Sequence, residues 1–145
     1  MEITQTSSKK NNLKLDFKDI KYATGRRKKS IAKVWLSKGS GTISVNGKDF
    51  KEYFKRPNHQ MQITRPFEII NQITDYDVTC KVIGGGMTGQ AGAMVHGISK
   101  ALLLFNEEFK STLKTEKLTT RDSRSVERKK PGRKKARRSF QFSKR

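Results

Sequence analysis

"YDVTCKVIGGGMTGQAGAMVHGISKALLLF", residues Tyr76–Phe105, contains two different periodic patterns of apolar residues on either side of a run of glycines. At its start, every second position from Tyr76 to Val82 carries an apolar or Cys side chain, and the positions between carry Asp, Thr and Lys. This alternation is typical of a half-buried strand. After the glycines, apolar side chains recur at helical spacing from Ala91 to Phe105, which forms one apolar face of a long helix. The stretch therefore predicts a strand, a glycine turn and a helix that covers the sheet.

Two further strands are predicted upstream of this stretch. Residues Ser30–Leu36, "SIAKVWL", are rich in branched and aromatic side chains, and "SKGSGT" after them has the glycines of a turn. In Thr42–Asn46, "TISVN", Ile and Val then fall on one face. We expect the two segments to pair as a β-hairpin that ends at Asn46-Gly47.

Shorter helices are predicted around these strands. Phe50, Tyr53 and Phe54 recur at helical spacing, Pro66 can occupy the first turn of a helix over "RPFEIINQI", and Asn106 can cap a last short helix. A hairpin, helices, a strand and a long helix indicate the α+β class. We expect a two-layer domain in which helices cover one face of a sheet.

The C-terminal end of the chain is a polycation. Nine of the last 17 residues, Lys129–Arg145, are Lys or Arg, and none is acidic. The 25 residues from Arg121 onward carry half of the formal charge of +20. Two phenylalanines, Phe140 and Phe142, cannot offset the entropy of ordering such a segment, so in isolation we expect disorder. We predict a flexible extension at 1–21, a globular domain at 22–118 and an extended basic tail at 119–145.

This charge indicates a polyanionic partner, most simply nucleic acid. "GRRKKS", Gly25–Ser30, adds four cations before the predicted first strand, and the two basic runs together favour a ribose-phosphate partner. Pro131 and Gly132 discourage a continuous helix in the tail, so it can follow a groove in extended form. Its phenylalanines can stack on bases. No run of eighteen apolar residues and no basic amphipathic helix supports a membrane partner.

Enzymatic and metal-binding functions have little support in the sequence. Cys80 is the only cysteine, and His59 and His96 do not have the spacing of metal ligands. No Ser/His/Asp set or productive carboxylate pair is present. We expect no enzyme activity, no cofactor and no metal site.

The glycines Gly84–Gly89 match a dinucleotide fingerprint, which needs a second parallel strand and an acidic residue after the helix. No such strand follows. Three interpretations stay open: nucleotide binding, glycines that let the helix pack close to the sheet, and a helix start that holds an RNA phosphate. A histone-like DNA-compacting protein also fits the tail taken alone.

Four segments resemble one known family: "YATGRRKKSIAKVWL", "VNGKDFKEYF", "GGGMTGQAGAMVHGISKAL" and "TRDSRSVERKKPGRKKARRSFQFSKR". They are similar to the bacterial and organellar form of the ninth small-subunit ribosomal protein, over residues 22–145. The resemblance implies a fold like the second domain of ribosomal protein S five, with a left-handed β-α-β crossover. It also implies binding to the 3′ major domain of the small-subunit rRNA, in the head, beside other head proteins.

The resemblance implies the roles of individual residues as well. The rRNA-contacting residues would be Arg26, Arg27, Lys28, Lys29, His96, Lys100, Arg121, Arg124, Arg128, Lys129, Lys130, Arg133, Lys134, Lys135, Arg137 and Arg138. The tip of the tail, Ser143, Lys144 and Arg145, would approach the tRNA in the peptidyl site.

Two positions depart from the family pattern. Val95 stands where many relatives have Arg before the helix His, and Lys117-Leu118 stands where relatives have a Gly-Phe pair. Val95 puts the RNA contact of that Arg in question, and Lys117-Leu118 puts the local turn of the Gly-Phe pair in question. The free use of Lys, Ile and Asn is typical of AT-rich genomes of organelles or reduced bacteria, and "ERKKPG" resembles plant-type mitochondrial members. We therefore expect a ribosome in the mitochondrial matrix, with bacterial cytoplasm as the alternative.

Overall fold

The structure is a computed structural model that describes residues 19–144. The predicted flexible extension at 1–21 lies mostly outside the described residues, although Lys21 already belongs to the first strand. The elements are β1 (Lys21–Arg27), β2 (Ser30–Lys38), β3 (Ile43–Val45), β4 (Lys48–Asp49), α1 (Phe50–Tyr53), α2 (Pro57–Ile69), β5 (Tyr76–Ile83), α3 (Met87–Phe105) and α4 (Phe109–Thr115).

The five strands form one sheet in the order β1-β2-β5-β3-β4. β5 pairs antiparallel with β2 and parallel with β3, so it lies between the two strands that were expected to pair. The predicted β2–β3 hairpin is therefore wrong. Asn46-Gly47 is the turn of the short β3–β4 hairpin, and β2 pairs instead with β1, a strand that the sequence analysis did not predict.

The segments that decide the fold are confirmed. β5 has the predicted bounds, and its alternate side chains from Tyr76 to Val82 are buried. The predicted face of α3 is buried against the sheet through residues such as Met94, Ile98 and Leu102. Cys80 is buried, as predicted, and burial raises the pKa of its thiol to about 12. Helices cover one face of the sheet, so the predicted α+β two-layer class is confirmed.

Two helix starts differ from the prediction. α2 begins at Pro57, and Pro66 lies inside it rather than in its first turn. Pro66 is buried with Phe67, so packing against the core compensates for the helix hydrogen bond that its ring removes. α4 begins at Phe109, because Asn106 accepts a hydrogen bond from the backbone N–H of Glu108 and forms a separate turn before the helix.

The last turn before the tail contains one of the departures from the family pattern. Lys117 has a φ of 56°, the left-handed conformation that favours glycine. Its N–H donates to the carbonyl of Lys114, and the N–H of Leu118 donates to that of Leu113, both at 3.0 Å. This is the hydrogen-bond pattern of a Schellman motif. The turn is present even though a lysine occupies its glycine position.

Lys117→Gly should stabilise the protein by about 0.5–1 kcal/mol, because glycine adopts this conformation without steric cost. Urea unfolding of the variant and the parent chain would measure the difference. Lys117→Ala is the matched control, since it removes the same charge but keeps the strain. Equal stabilisation by both variants would show that charge, not backbone strain, is responsible.

α3 approaches β1 unusually closely because two glycines face each other at the contact. A Cβ on Gly25 would overlap the backbone of Ala93 and Gly97, and one on Gly97 would come within 2.6 Å of Val34 Cγ2. Glycine thus allows close packing at Gly97, inside α3. The backbones of helix and edge strand are close enough for α3 side chains to reach β1 main-chain atoms.

Gly25→Ala should destabilise the fold by about 3 kcal/mol, because the new methyl group meets backbone atoms that cannot rotate away. Gly86→Ala is the control, since among residues 19–144 no atom distant in the chain lies within 4 Å of the position its Cβ would take. Urea midpoints of the two variants test this. A Gly25→Ala variant as stable as Gly86→Ala would contradict the close approach.

Candidate nucleic-acid interface

Four cations lie together at one end of the sheet. Arg26 and Arg27 end β1, and Lys28 and Lys29 form the two-residue turn into β2. Lys28 has a φ of 51°, which fits the tight turn. Arg26 and both lysines are exposed, whereas Arg27 is half-buried. The turn presents a compact positive end to solvent.

Arg27 connects this end to the root of the tail, residues 119–126. Its side chain crosses α3 at Gly92, where a Cβ would collide with it. Its Nη2 lies 3.4 Å from a carboxylate oxygen of Asp122, and Arg124 donates to the same carboxylate at 2.9 and 3.0 Å. Hydrogen bonds from Arg124, with the added charge of Arg27, lower the pKa of Asp122. One carboxylate thus holds an arginine of the body and an arginine of the tail together.

His96 and Lys100 project from α3 to the free edge of β1. The backbone N–H of Arg26 donates to Nδ1 of His96 at 3.2 Å, and Nζ of Lys100 donates to the carbonyl of Thr24 at 3.3 Å. Both side chains therefore satisfy main-chain groups of an edge strand. His96 has a structural role here, and its predicted RNA contact stays a prediction.

A cleft of about 230 Å³ opens between β1, α2, α3 and the tail root. Its cationic lining includes Arg65 and Lys117, which the sequence analysis did not select, and Val95 also lines it. Arg65 pairs with Glu116 at the surface. The cleft is lined by Arg26, Arg27, Gln62, Arg65, Gly92, Val95, His96, Lys117, Leu118, Thr120 and Asp122.

The rest of the tail has no helix or strand among residues 119–144, but it is not fully extended. Arg133 forms an isolated antiparallel bridge with Ser139, so the chain folds back beyond Pro131. Glu127 binds Lys130 at 2.7 Å and Arg137 at 2.9 Å, and these contacts lower its pKa. The chain thus turns back on itself between Arg133 and Ser139, and the extended course of the tail along a partner stays a prediction.

The structure brings part of the predicted site together. Arg26–Lys29, His96, Lys100, Arg121 and Arg124 lie where β1, α3 and the tail root meet. The remaining tail cations are exposed along the segment that follows: Arg128, Lys129, Lys130, Arg133, Lys134, Lys135, Arg137 and Arg138. Arg65 and Lys117 lie beside the first set, and only the tertiary structure reveals that they belong to the site.

At the predicted tip, Ser143 and Lys144 are exposed, and Arg145 lies outside the described residues. Phe142 is 87% exposed and Phe140 is 61% exposed. Lys134 Nζ lies 5.9 Å from the centre of the Phe140 ring. Both aromatic rings are therefore available to a partner.

The glycine loop before α3 lies against the same end of the sheet. Gly84 and Gly85 have φ values of 73° and 63°, and Ser30 Oγ donates to the Gly84 carbonyl at 3.1 Å. α4 and the tail follow α3, and residues 106–144 add no strand to the sheet. The second parallel strand that a dinucleotide site needs is therefore missing from the described chain.

Within residues 19–144, no group of three or more His, Cys, Asp or Glu side chains is placed to hold a metal ion. None of the helices described is long and apolar enough to cross a membrane.

The stability of the fold should fall as pH drops below about 6.5, because the pKa of His96 is lowered from 6.5 by burial and by the charge of Lys100. His96 binds a proton at its ordinary pKa in the unfolded chain and at a lower pKa in the folded chain. As pH falls through 6.5 the unfolded chain therefore binds more protons, so protons favour unfolding. Urea unfolding from pH 7.5 to pH 5.5 tests this. His96→Gln can still accept the Arg26 hydrogen bond without titrating. A free energy of unfolding that falls with pH as steeply in this variant as in the parent would contradict the role of His96.

A family model described as ribosomal protein S9/S16 matches residues 25–145. The match starts within β1 and includes every later element together with the whole tail.

Proposed function

Since the chain belongs to the ribosomal protein S9/S16 family, we propose that it is a structural protein of the small ribosomal subunit that binds rRNA in the head. Membership of this family implies a structural role in the ribosome with rRNA and other ribosomal proteins as partners. The finer proposal is that the body docks on the 3′ major domain, beside head proteins, and that the tail reaches the tRNA in the peptidyl site.

The observation that most supports this proposal is the contact between Arg27, Asp122 and Arg124. It joins the positive end of the body to the root of the tail, so the two cationic regions form one continuous surface. Phosphate oxygens of folded RNA fit such a surface, since guanidinium groups bind them with two parallel hydrogen bonds.

The mechanism that follows is electrostatic. Each phosphate that the tail neutralises releases counterions, so about eight contacts would give a slope of about −6 to −7 in a plot of log affinity against log salt. Inside folded RNA the tail reduces repulsion between phosphates that crowd together. Phe140 and Phe142 add stacking on bases, which does not depend on salt in the same way.

Finer assignments are proposals of the same kind. We propose the fold of the second domain of ribosomal protein S five, with a left-handed β-α-β crossover. The parallel pair of β3 and β5, joined through β4, α1 and α2, supports a β-α-β crossover, whereas its hand rests on the family resemblance alone. We propose a mitochondrial ribosome, with a bacterial one as the alternative, because "ERKKPG" resembles plant-type mitochondrial members of the family.

Sedimentation of a lysate through a sucrose gradient in about 0.5 M salt tests the proposal, because this salt removes loosely bound polycations. We expect the chain to migrate with the small subunit. A chain that ends at Thr120 should be lost from the subunit at lower salt than the full chain. Migration with DNA, or release of the full chain to the top of the gradient, would overturn the proposal and favour a DNA-compacting protein.

Deletion of Ser143–Arg145 should leave assembly of the subunit intact and weaken tRNA binding in the peptidyl site, because the tip carries two of the tail's cations. Filter binding of tRNA to purified subunits measures this. Replacement of Lys110 and Lys114 on α4 by Gln removes the same charge elsewhere and serves as the control. Equal tRNA affinity in the deletion and the control would refute the role of the tip.

A further inference from the structure

The second face of the sheet is open within residues 19–144. Helices cover one face, and the side chains of β1, β2 and β5 that alternate with the core point to the other side. The strand registers arrange them in three rows. We call this surface the open face: Tyr22, Trp35 and Thr79 in the first row, Thr24, Lys33 and Lys81 in the second, and Ile31 and Ile83 in the third.

The first row of the open face is aromatic. The rings of Tyr22 and Trp35 are cross-strand neighbours with centres 5.4 Å apart. Tyr22 is 46% exposed, and Trp35 is half-buried. A shallow groove of about 500 Å³ passes from Trp35 over Thr79 and Lys81 towards the Asn46-Gly47 turn. Flat π surfaces beside an open groove suit an extended ligand with planar groups.

The second row of the open face is cationic. Lys33 and Lys81 are directly opposite each other in the β2–β5 register and both are exposed. Like charges at this position destabilise a sheet. Neither lysine has an ion pair within residues 19–144. Two facing cations without a paired carboxylate can bind an anion.

The acidic residue on this side of β5 does not neutralise the lysines. Oδ1 of Asp77 accepts hydrogen bonds from the backbone N–H groups of Ser40 and Thr42 at 2.9 and 2.8 Å. These contacts hold the carboxylate to the β2–β3 loop, at the end of the strand. The centre of the open face keeps its positive charge.

We propose that the open face binds a single-stranded segment of RNA, with bases stacked on Tyr22 and Trp35 and phosphates held by Lys33 and Lys81. Rows on a strand are about 6.6–6.8 Å apart, so aromatic and cationic groups alternate at the scale of one nucleotide. Duplex RNA hides its base faces and cannot stack here. The inference rests on the proposed function, because the segment would belong to the rRNA, and it adds a contact separate from the basic tail.

Fluorescence of Trp35, the only tryptophan in the chain, reports directly on this surface. The full chain is titrated with a single-stranded RNA of about 12 nucleotides, and with inorganic polyphosphate of equal charge. RNA should quench Trp35, and polyphosphate should bind through the tail without quenching. RNA binding without quenching, or equal quenching by polyphosphate, would overturn the inference.

A matched pair of variants tests the lysines. Lys33→Gln with Lys81→Gln should weaken the quenching affinity about 10-fold and reduce the salt slope by about 1.4. Lys110→Gln with Lys114→Gln removes the same charge from α4 and should change affinity less than about 2-fold. Thermal unfolding checks that the variants are folded. Loss of the facing charges on Lys33 and Lys81 should not destabilise the fold. Equal effects of the two pairs would overturn the inference.

Ultraviolet cross-linking in intact subunits separates this inference from the proposed function. We expect an RNA adduct on the tryptic peptide that contains Trp35. A chain that migrates with the subunit but has RNA adducts only in its tail would overturn the open-face site and leave the proposed function standing. Quenching by RNA in a chain that does not migrate with the subunit would support the site and overturn the ribosomal function.

Discussion

The close approach of α3 to β1 is the constraint on which the candidate interface depends. Gly25 and Gly97 lack the side chains that would separate the two backbones. Because the helix lies so near the edge strand, His96 and Lys100 reach main-chain atoms of β1. The same contact lets Arg27 cross α3 and meet Asp122. A packing feature of the core thereby determines where the basic tail leaves the body.

The tail combines many cations with two acidic residues. Asp122 holds its root to Arg27, and Glu127 gathers Lys130 and Arg137 within the tail. Ion pairs between exposed groups contribute little to stability, and salt screens them further. These contacts therefore guide the tail without holding it rigidly. A polyanion can replace the contacts of Glu127 one at a time, since every phosphate that binds also relieves repulsion among the tail cations.

Much of the fold was predictable because it depends on the local periodicity of apolar residues. The alternation in β5 and the apolar face of α3 are each set by residues within one element, and both predictions are confirmed. The β2–β3 hairpin was wrong because β5, more than 30 residues later in the chain, supplies the partner for both strands. Short turn signals indicate where a chain can reverse, but they do not indicate which strand will be inserted.

The candidate site was predictable in its composition but only partly in its geometry. Counting charges found the basic turn and the tail. Arg65 and Lys117 were not predicted as site residues, because they join the site only when α2 and the end of α4 pack beside β1. Asp122 could have been found as one of only two acidic residues in the tail. Sequence likewise does not reveal that Lys33 and Lys81 face each other, since their pairing depends on the register between β2 and β5.

Cryo-electron microscopy of the ribosomal subunit that contains this chain would show the path of the tail. We expect residues 121–138 to follow RNA, with guanidinium and ammonium groups at phosphate oxygens, and Arg27 to contact Asp122 where the tail leaves the body. A tail on the outer surface of the particle, without RNA along it, would contradict the account. So would a tail root detached from β1 and α3.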